Sequence, residues 1–364
     1  MNAIKDINET NIAALRTLLG RGERFVVTSH NSPDGDALGS TAALCHYLVS
    51  KGKEATLVLP DDVPDTLAFL FRRDDPFRVI SLESEKDAAL QAVSRADTLI
   101  CLDFNTLSRT KLGTAIQAQT CPKILIDHHL KPQREAFTVC ISETEISSAC
   151  ELLYHVLLAL EGKVGQPACA HVLPSRTAYA LMTGMTTDTN NFANSVFPST
   201  LRMASELIAV GVDRDEIVSQ IYQHYRENRL RALGYVLSEK LTLTPEGVAY
   251  VILSEEEQNR FGLKEGETES FVNQPLAIEQ VHFSLFLKEL PDRFRVSIRS
   301  KKGFSANRWA AECFHGGGHE NASGGALYKP NAPADLLKGN APDVHDVRSA
   351  EIYVKQAIQT FFKA

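Results

Sequence analysis

Three short apolar runs, each breaking off into acidic and histidine residues, constrain this chain more than any other feature. The first, Phe25 to Val27, opens into the loop TSHNSPDGD, which carries His30, Asp34 and Asp36. Aromatic and β-branched residues followed by Ser32, Pro33, Asp34 and Gly35 read as a buried strand stopped by turn formers. A helical stretch, Ala37 to Leu48, comes next. The polar loop therefore lies between a strand's carboxyl end and a helix's amino end, where open α/β sheets keep their sites. The second run, Thr98 to Leu102, ends in Asp103, and the third, Lys123 to Ile126, ends in Asp127, His128 and His129. Each cluster alone has an ordinary reading: an Asp-Gly turn with a capping aspartate, a loop or N-cap residue, a polar loop. Capping does not account for all three recurring at the same kind of strand end. Histidine with several carboxylates is a hard, mixed nitrogen and oxygen donor set suited to a divalent ion such as manganese or zinc.

Between these runs the chain alternates. A capped helix is expected over Asn8 to Leu19, strands over Ala55 to Leu59 and Phe77 to Leu82, and helices over Pro64 to Phe71 and Glu83 to Ala96. That spacing predicts an α/β fold with a doubly wound, mostly parallel sheet whose polar strand ends converge on one crevice. Apolar residues at helical spacing over 146–160, 176–185, 200–211 and 213–225 read as core; Cys150, Tyr154, His155 and His171, in or near this region, receive no chemical role. The 364 residues exceed what one compact core needs, so two domains are expected. They are placed at 1–225 and 244–364, joined by a helical linker over 226–243. Strands over 248–253, 281–287 and 294–298 and helices over 306–314 and 352–362 would make the second, smaller α/β domain.

Composition removes several function classes. No apolar stretch is long enough to span a bilayer and the amino end lacks a basic-then-apolar secretory pattern, so a cytoplasmic protein without membrane association is expected. Seven cysteines, none in a CxxC pair, point to free thiols rather than disulfides or a zinc cluster. A net charge of −7 argues against a surface that coats long nucleic acid. With neither GxxxxGK[ST] nor GxGxxG present, an NTPase or a dinucleotide oxidoreductase is not expected. Against the general acidity, Arg293, Arg295, Arg299, Lys301, Lys302 and Arg308 gather around one strand and turn, ahead of Gly316, Gly317, Gly318 and His319. A solvated strand face is the plain reading, and a glycine backbone that comes close to an anion is the sharper one. Gly324 and Gly325 read equally well as a turn.

In order, HNSPDGDALGS, LDFNTLSR, IDHHLKP and GMTTDTNNF resemble the four motifs of the DHH phosphoesterases, and VSIRSKKGFSANRWAAECFHGGGHENASGG resembles the DHH-associated substrate-binding domain with its GGGH signature. The resemblance covers nearly the whole chain. It is nearest to the stand-alone branch of oligoribonucleases (nanoRNases), 3'-phosphoadenosine 5'-phosphate (pAp) phosphatases and cyclic-dinucleotide phosphodiesterases. It implies a hydrolase with one metal held by His30, Asp34 and Asp103 and a second by Asp36, Asp103, His128 and Asp188, Asp103 bridging the two. Asp127 would orient His128, and His129 would face the substrate. The implied cofactor is a pair of divalent ions, with manganese expected, about 3.5 to 4 Å apart and activating a water for in-line attack on phosphorus. Arg299, Ser300, Gly316, Gly317, Gly318 and His319 would hold the substrate's terminal phosphate and sugar.

The implied substrates are short oligonucleotides, linear dinucleotides and pAp, with no long double-stranded nucleic acid as partner; a homodimer is compatible. Alternatives are a cyclic-dinucleotide phosphodiesterase, an exopolyphosphatase or pyrophosphatase, and a non-catalytic nucleotide sensor. The complete ligand set argues against the sensor, and the GGGH pattern against polyphosphate. Asn190 stands where many relatives carry glycine, which leaves the backbone of the fourth motif's loop open.

Overall fold

The computed structural model describes residues 6–163, 165–166, 169–264, 266–333, 336–337 and 344–363. The chain divides after His224 into two compact units. In the first, α1 (Glu9–Arg21), β1 (Arg24–Thr28), α2 (Gly35–Ser50), β2 (Glu54–Leu59), β3 (Arg78–Ser81), α3 (Lys86–Arg95), β4 (Thr98–Leu102), α4 (Gly113–Gln117), β5 (Lys123–Asp127) and β6 (Val139–Ser142) alternate along the chain. Four helices follow: α5 (Ala149–Leu160), α6 (Ser175–Asp188), α7 (Pro198–Ala209) and α8 (Arg214–Tyr222). The six strands are all parallel, in the order β3-β2-β1-β4-β5-β6. Helices cover both faces: α2, α5 and α6 pack with Val27, Leu57, Ile100 and Ile126 on one side, and Ala89 and Val93 of α3 and Ile116 of α4 pack with Val26, Leu99 and Leu125 on the other.

This order places the site. Strand β1 neighbours both β2 and β4, so the winding direction reverses between β1 and β4 and opens a crevice at their carboxyl ends. The three polar loops leave β1, β4 and β5 there. Residues Gly35 to Leu48 of α2 are all buried, and α2 crosses α6 closely because glycines leave room. A Cβ at Gly39 would lie 2.7 Å from the Ala180 carbonyl, and one at Gly35 would strike the Thr187 side chain. That crossing carries Asp36, in the first turn of α2, to the end of α6, where Asp188 sits.

The second unit contains α9 (Glu227–Tyr235), β7 (Thr242–Leu243), β8 (Val248–Leu253), α10 (Glu255–Arg260), β9 (Phe283–Glu289), β10 (Arg293–Ser300), α11 (Ala306–Cys313), β11 (Gly317–Gly318), β12 (Ala322–Tyr328) and α12 (Val347–Lys363). Its mixed sheet runs β11-β12-β10-β9-β8-β7, with only β8 and β9 parallel. One face packs on α11 and α12 around Trp309 and Val354. The other carries a smaller cluster in which Ala232 of α9 and Val236 meet Val251, Leu253 and Phe286. The helical linker expected over 226–243 thus lies within this unit, contributing Ala232 and Val236 to its core. Gly324 and Gly325, for which a turn is an equal alternative in the sequence, lie inside β12 opposite Ser297 and Val296. Glycine is required because the end of α11 comes so close: a Cβ at Gly325 would strike the Phe314 carbonyl. Among the described residues no helix is long and apolar enough to cross a membrane, and all seven cysteines are free.

Candidate metal centre

The switch-point crevice gathers every ligand candidate of the first unit. Asp103 follows β4 with φ +62°, a left-handed conformation that aspartate tolerates better than most side chains, and its carboxylate is buried between two imidazoles. His30 Nε2 lies 3.4 Å from Asp103 Oδ2 and 3.9 Å from Asp34 Oδ1. His128 Nε2 lies 3.3 Å from Asp103 Oδ1, 3.7 Å from Asp36 Oδ2 and 3.6 Å from Asp188 Oδ2. Potential ligand atoms of His30, Asp34 and Asp103 fall within 4.8 Å of one another, as do those of Asp36, His128 and Asp188.

Each ligand is held from behind. His30 Nδ1 is 2.8 Å from the Asn31 carbonyl, an oxygen that can only accept, so Nδ1 carries a proton and, in the neutral imidazole, Nε2 is the nitrogen with the lone pair. Asp34 is the N-cap of α2, its Oδ1 accepting from the Asp36 and Ala37 N–H groups at 3.0 and 3.1 Å. The capping reading and the ligand reading of this residue therefore coexist. Asp36, fully buried, accepts from the Ala149 N–H at 2.6 Å and the Cys150 N–H at 2.9 Å, the first two donors of α5. The sequence reading assigned this region no chemistry, and its contribution comes from backbone. The spacing Ser148-x-x-Glu151, a helix-start signature, was the available signal.

One sequence expectation is corrected. Asp127 does not orient His128; its Oδ1 lies 2.8 Å from His129 Nδ1, and its Oδ2 accepts from the His129 N–H at 3.1 Å. Alternate residues of an extended strand share a side, so at the end of β5 residues 127 and 129 pair while His128 turns toward Asp36, Asp103 and Asp188.

The electrostatics suit cations. Burial and the neighbouring Asp103 and Asp188 carboxylates push Asp36 well above the usual carboxylate range. Burial would raise Asp103 too, but the His128 and His30 imidazoles at its oxygens hold it well below. Burial would lower His30 and His128, yet Asp103 and the carboxylates around them raise the two to about 9 and about 10. The same burial lowers His129 despite Asp127. Asp103 Oδ1 is a buried atom that accepts no hydrogen bond among the described residues. Four carboxylates around two imidazoles, with one buried Asp103 oxygen lacking a hydrogen bond, match the charge and donor types of two divalent ions, so the residues fit such a pair.

In the second unit the expected clamp is brought together only in part. Along β10 exposure alternates, so Arg293, Arg295 and Arg299 share the half-open face while Ser300 turns to the core side. The Ser300 hydroxyl donates to the Phe304 carbonyl at 2.5 Å and accepts from Asn321 Nδ2 at 2.9 Å, which separates it from Arg299. Arg308, counted with this basic cluster, lies instead on α11, 2.8 Å from Glu312 and over the Phe361 ring. Of the glycine run, Gly316 and Gly318 are required by packing against β12, since a Cβ at either would strike the Gly324 or Ala322 carbonyl. Gly317 meets nothing nearer than Asn307 Nδ2 at 3.9 Å, and His319 occupies the turn between β11 and β12, its N–H donating to the Ala322 carbonyl at 2.8 Å.

Residues 24–185 match the model of the DHH family, N-terminal domain, and residues 246–339 that of the DHHA1 domain. The chain is 29% identical over 307 residues, 83% of either chain, to the bifunctional oligoribonuclease and PAP phosphatase NrnA of Thermus thermophilus. It is 26% identical over 311 residues to the protein of the same name from Bacillus subtilis, covering 84% of this chain and 90% of that one. The crystal structure of an exopolyphosphatase-related protein from Bacteroides fragilis superposes with a TM-score of 0.85 at 34% identity, covering 99% of this chain and 98% of the other.

Proposed function

Because the chain belongs to the DHH family, we propose that it is a metal-dependent phosphoesterase that hydrolyses short oligonucleotides and pAp, the activities named for its relatives from Thermus thermophilus and Bacillus subtilis. The observation that carries this reading is the buried Asp103 carboxylate, with His30 at one oxygen and His128 at the other. In this reading His30, Asp34 and Asp103 hold one divalent ion, and Asp36, Asp103, His128 and Asp188 a second. Two imidazoles in the set favour manganese over magnesium. A divalent pair supplies hydroxide near neutral pH and offsets charge on the phosphoryl oxygens. The rest falls to this chain's own residues. Asp127 fixes His129 at Nδ1, leaving Nε2 to exchange a proton with the substrate or its leaving oxygen. Arg299 and His319 of the second unit engage the substrate's terminal phosphate and sugar, and Gly317 lets backbone approach it.

The test is a hydrolysis panel with defined manganese: linear dinucleotide, pAp, cyclic dinucleotide, inorganic pyrophosphate, and a strand of twenty or more nucleotides. Dinucleotide and pAp are expected to be cleaved fastest and the long strand slowest, since the basic residues form a small patch rather than an extended track of phosphate contacts. Asp103→Asn is expected to abolish hydrolysis, because a neutral amide cannot hold two dications together. A rate above about a tenth of wild type, a deficit under ~1.4 kcal/mol, would sink the shared-ligand reading.

A further inference from the structure

A carboxylate with no place in the mechanism lies buried beside it. Glu151, fully inaccessible, is the third residue of α5, directly after the two N–H groups that hold Asp36. One of its oxygens, Oε2, collects donors from two directions: the Ser147 N–H at 3.1 Å and the Ser147 hydroxyl on one flank, and the Thr200 hydroxyl at 2.7 Å on the other. The Thr200 hydroxyl in turn accepts from the Phe197 N–H at 3.1 Å, closing the loop that runs from Asp188 to the start of α7. The Glu151 N–H donates to Ser148 Oγ at 3.0 Å, completing the first turn of α5.

An N-terminal glutamate usually reaches back to the cap and stabilises the helix alone. Here it joins the element that cradles Asp36 to the segment that follows Asp188, and these two aspartates belong to the same ligand group with His128. We infer that Glu151 is a positioning residue that sets the geometry of the second ion's ligands, Asp36 through the α5 amino terminus and Asp188 through Thr200. Its reach to the first group is indirect: His30 is held by the Asn31 carbonyl, and Asp34 meets Asp36 only through the α2 cap. The inference rests on the two-ion reading above.

The test is calorimetric titration of metal-free protein with manganese, for wild type and Glu151→Gln, alongside thermal unfolding of both metal-free proteins. Residues that orient metal ligands typically change affinity by about 10- to 100-fold when replaced. One binding step of Glu151→Gln is expected to weaken by that factor with the other changed much less, and excess manganese to restore kcat. Thr200→Val, which loosens only the Asp188 side, where Ser199 also bonds Glu151, is expected to weaken the same step by a smaller factor; it also serves if Glu151→Gln does not fold. Two unchanged steps, or an equal loss in both, would overturn the inference and leave a structural carboxylate. A wild type that takes up fewer than two ions would overturn the two-ion reading, and this assignment with it.

Discussion

At Asn190 the backbone has φ +46°, and Asn191 and Phe192 continue at +57° and +67°. Glycine enters this region freely and asparagine is among the side chains that tolerate it, so Asn190 takes a backbone conformation that a glycine there would also meet. Phe192 is the strained member. Its N–H donates to Thr189 Oγ1 at 3.1 Å, and the Arg214 guanidinium lies over its ring at 5.4 Å. Asn190→Gly is therefore expected to fold and bind metal as wild type does. Asn190→Val is expected to lose about 1–2 kcal/mol in thermal unfolding and to weaken manganese binding, because Asp188 is two residues upstream. Equal stability of the two variants would remove backbone strain as the explanation.

Among the elements, the α2–α6 crossing governs the centre. Gly184 of α6 faces Asp36 so closely that a Cβ would lie 2.9 Å from Asp36 Oδ1 and strike Cys150 Sγ. Gly184→Ala is expected to cost about 1–3 kcal/mol, typical of an overpacked core, and to reduce manganese uptake along with stability. Unchanged uptake would show that the crossing does not set Asp36. This crossing also marks the limit of what the sequence discloses. The strands β1, β4 and β5 are legible because β-branched runs break abruptly into His30, Asp103 and Asp127, and parallel strands buried on both faces must be continuously apolar. Strand β12 is not legible, since Gly324 and Gly325 interrupt it for packing reasons that exist only beside Phe314. The Asp36 cradle escapes for a different reason: the donors are main-chain N–H groups, which Ala149 and Cys150 supply whatever their side chains. The separation of Arg299 from Ser300 follows from the two-residue period of a strand once β10 is drawn long enough to include both.

For the whole molecule, protons and metal compete. His30 and His128 bind protons more tightly in the folded metal-free chain, with values of about 9 and about 10 against an ordinary 6.5. Their contribution to metal-free stability is fully present below the unfolded value and is lost as pH rises through those folded values. Binding an ion to either imidazole displaces its proton, so manganese affinity is expected to strengthen with pH up to the same window and then level off. The manganese-induced rise in melting temperature should grow from mildly acidic to mildly alkaline solution. An ion at about 100 times its dissociation constant adds about 2.7 kcal/mol per site. A rise independent of pH would show that the imidazoles are not ligands.

The strand order has a consequence for assembly in time. The pairing of β1 with β4 joins residues more than seventy positions apart, Phe25 with Thr98, and no ligand group is whole until that gap closes. Closing such a loop is the slow, entropically costly event of folding a parallel sheet. Asp188 arrives later still on a chain made from its amino end. The nascent protein would thus complete its first ligand group only once β1 and β4 pair, and its second only once α6 is in place, so cation capture would follow the closure of the sheet rather than nucleate it.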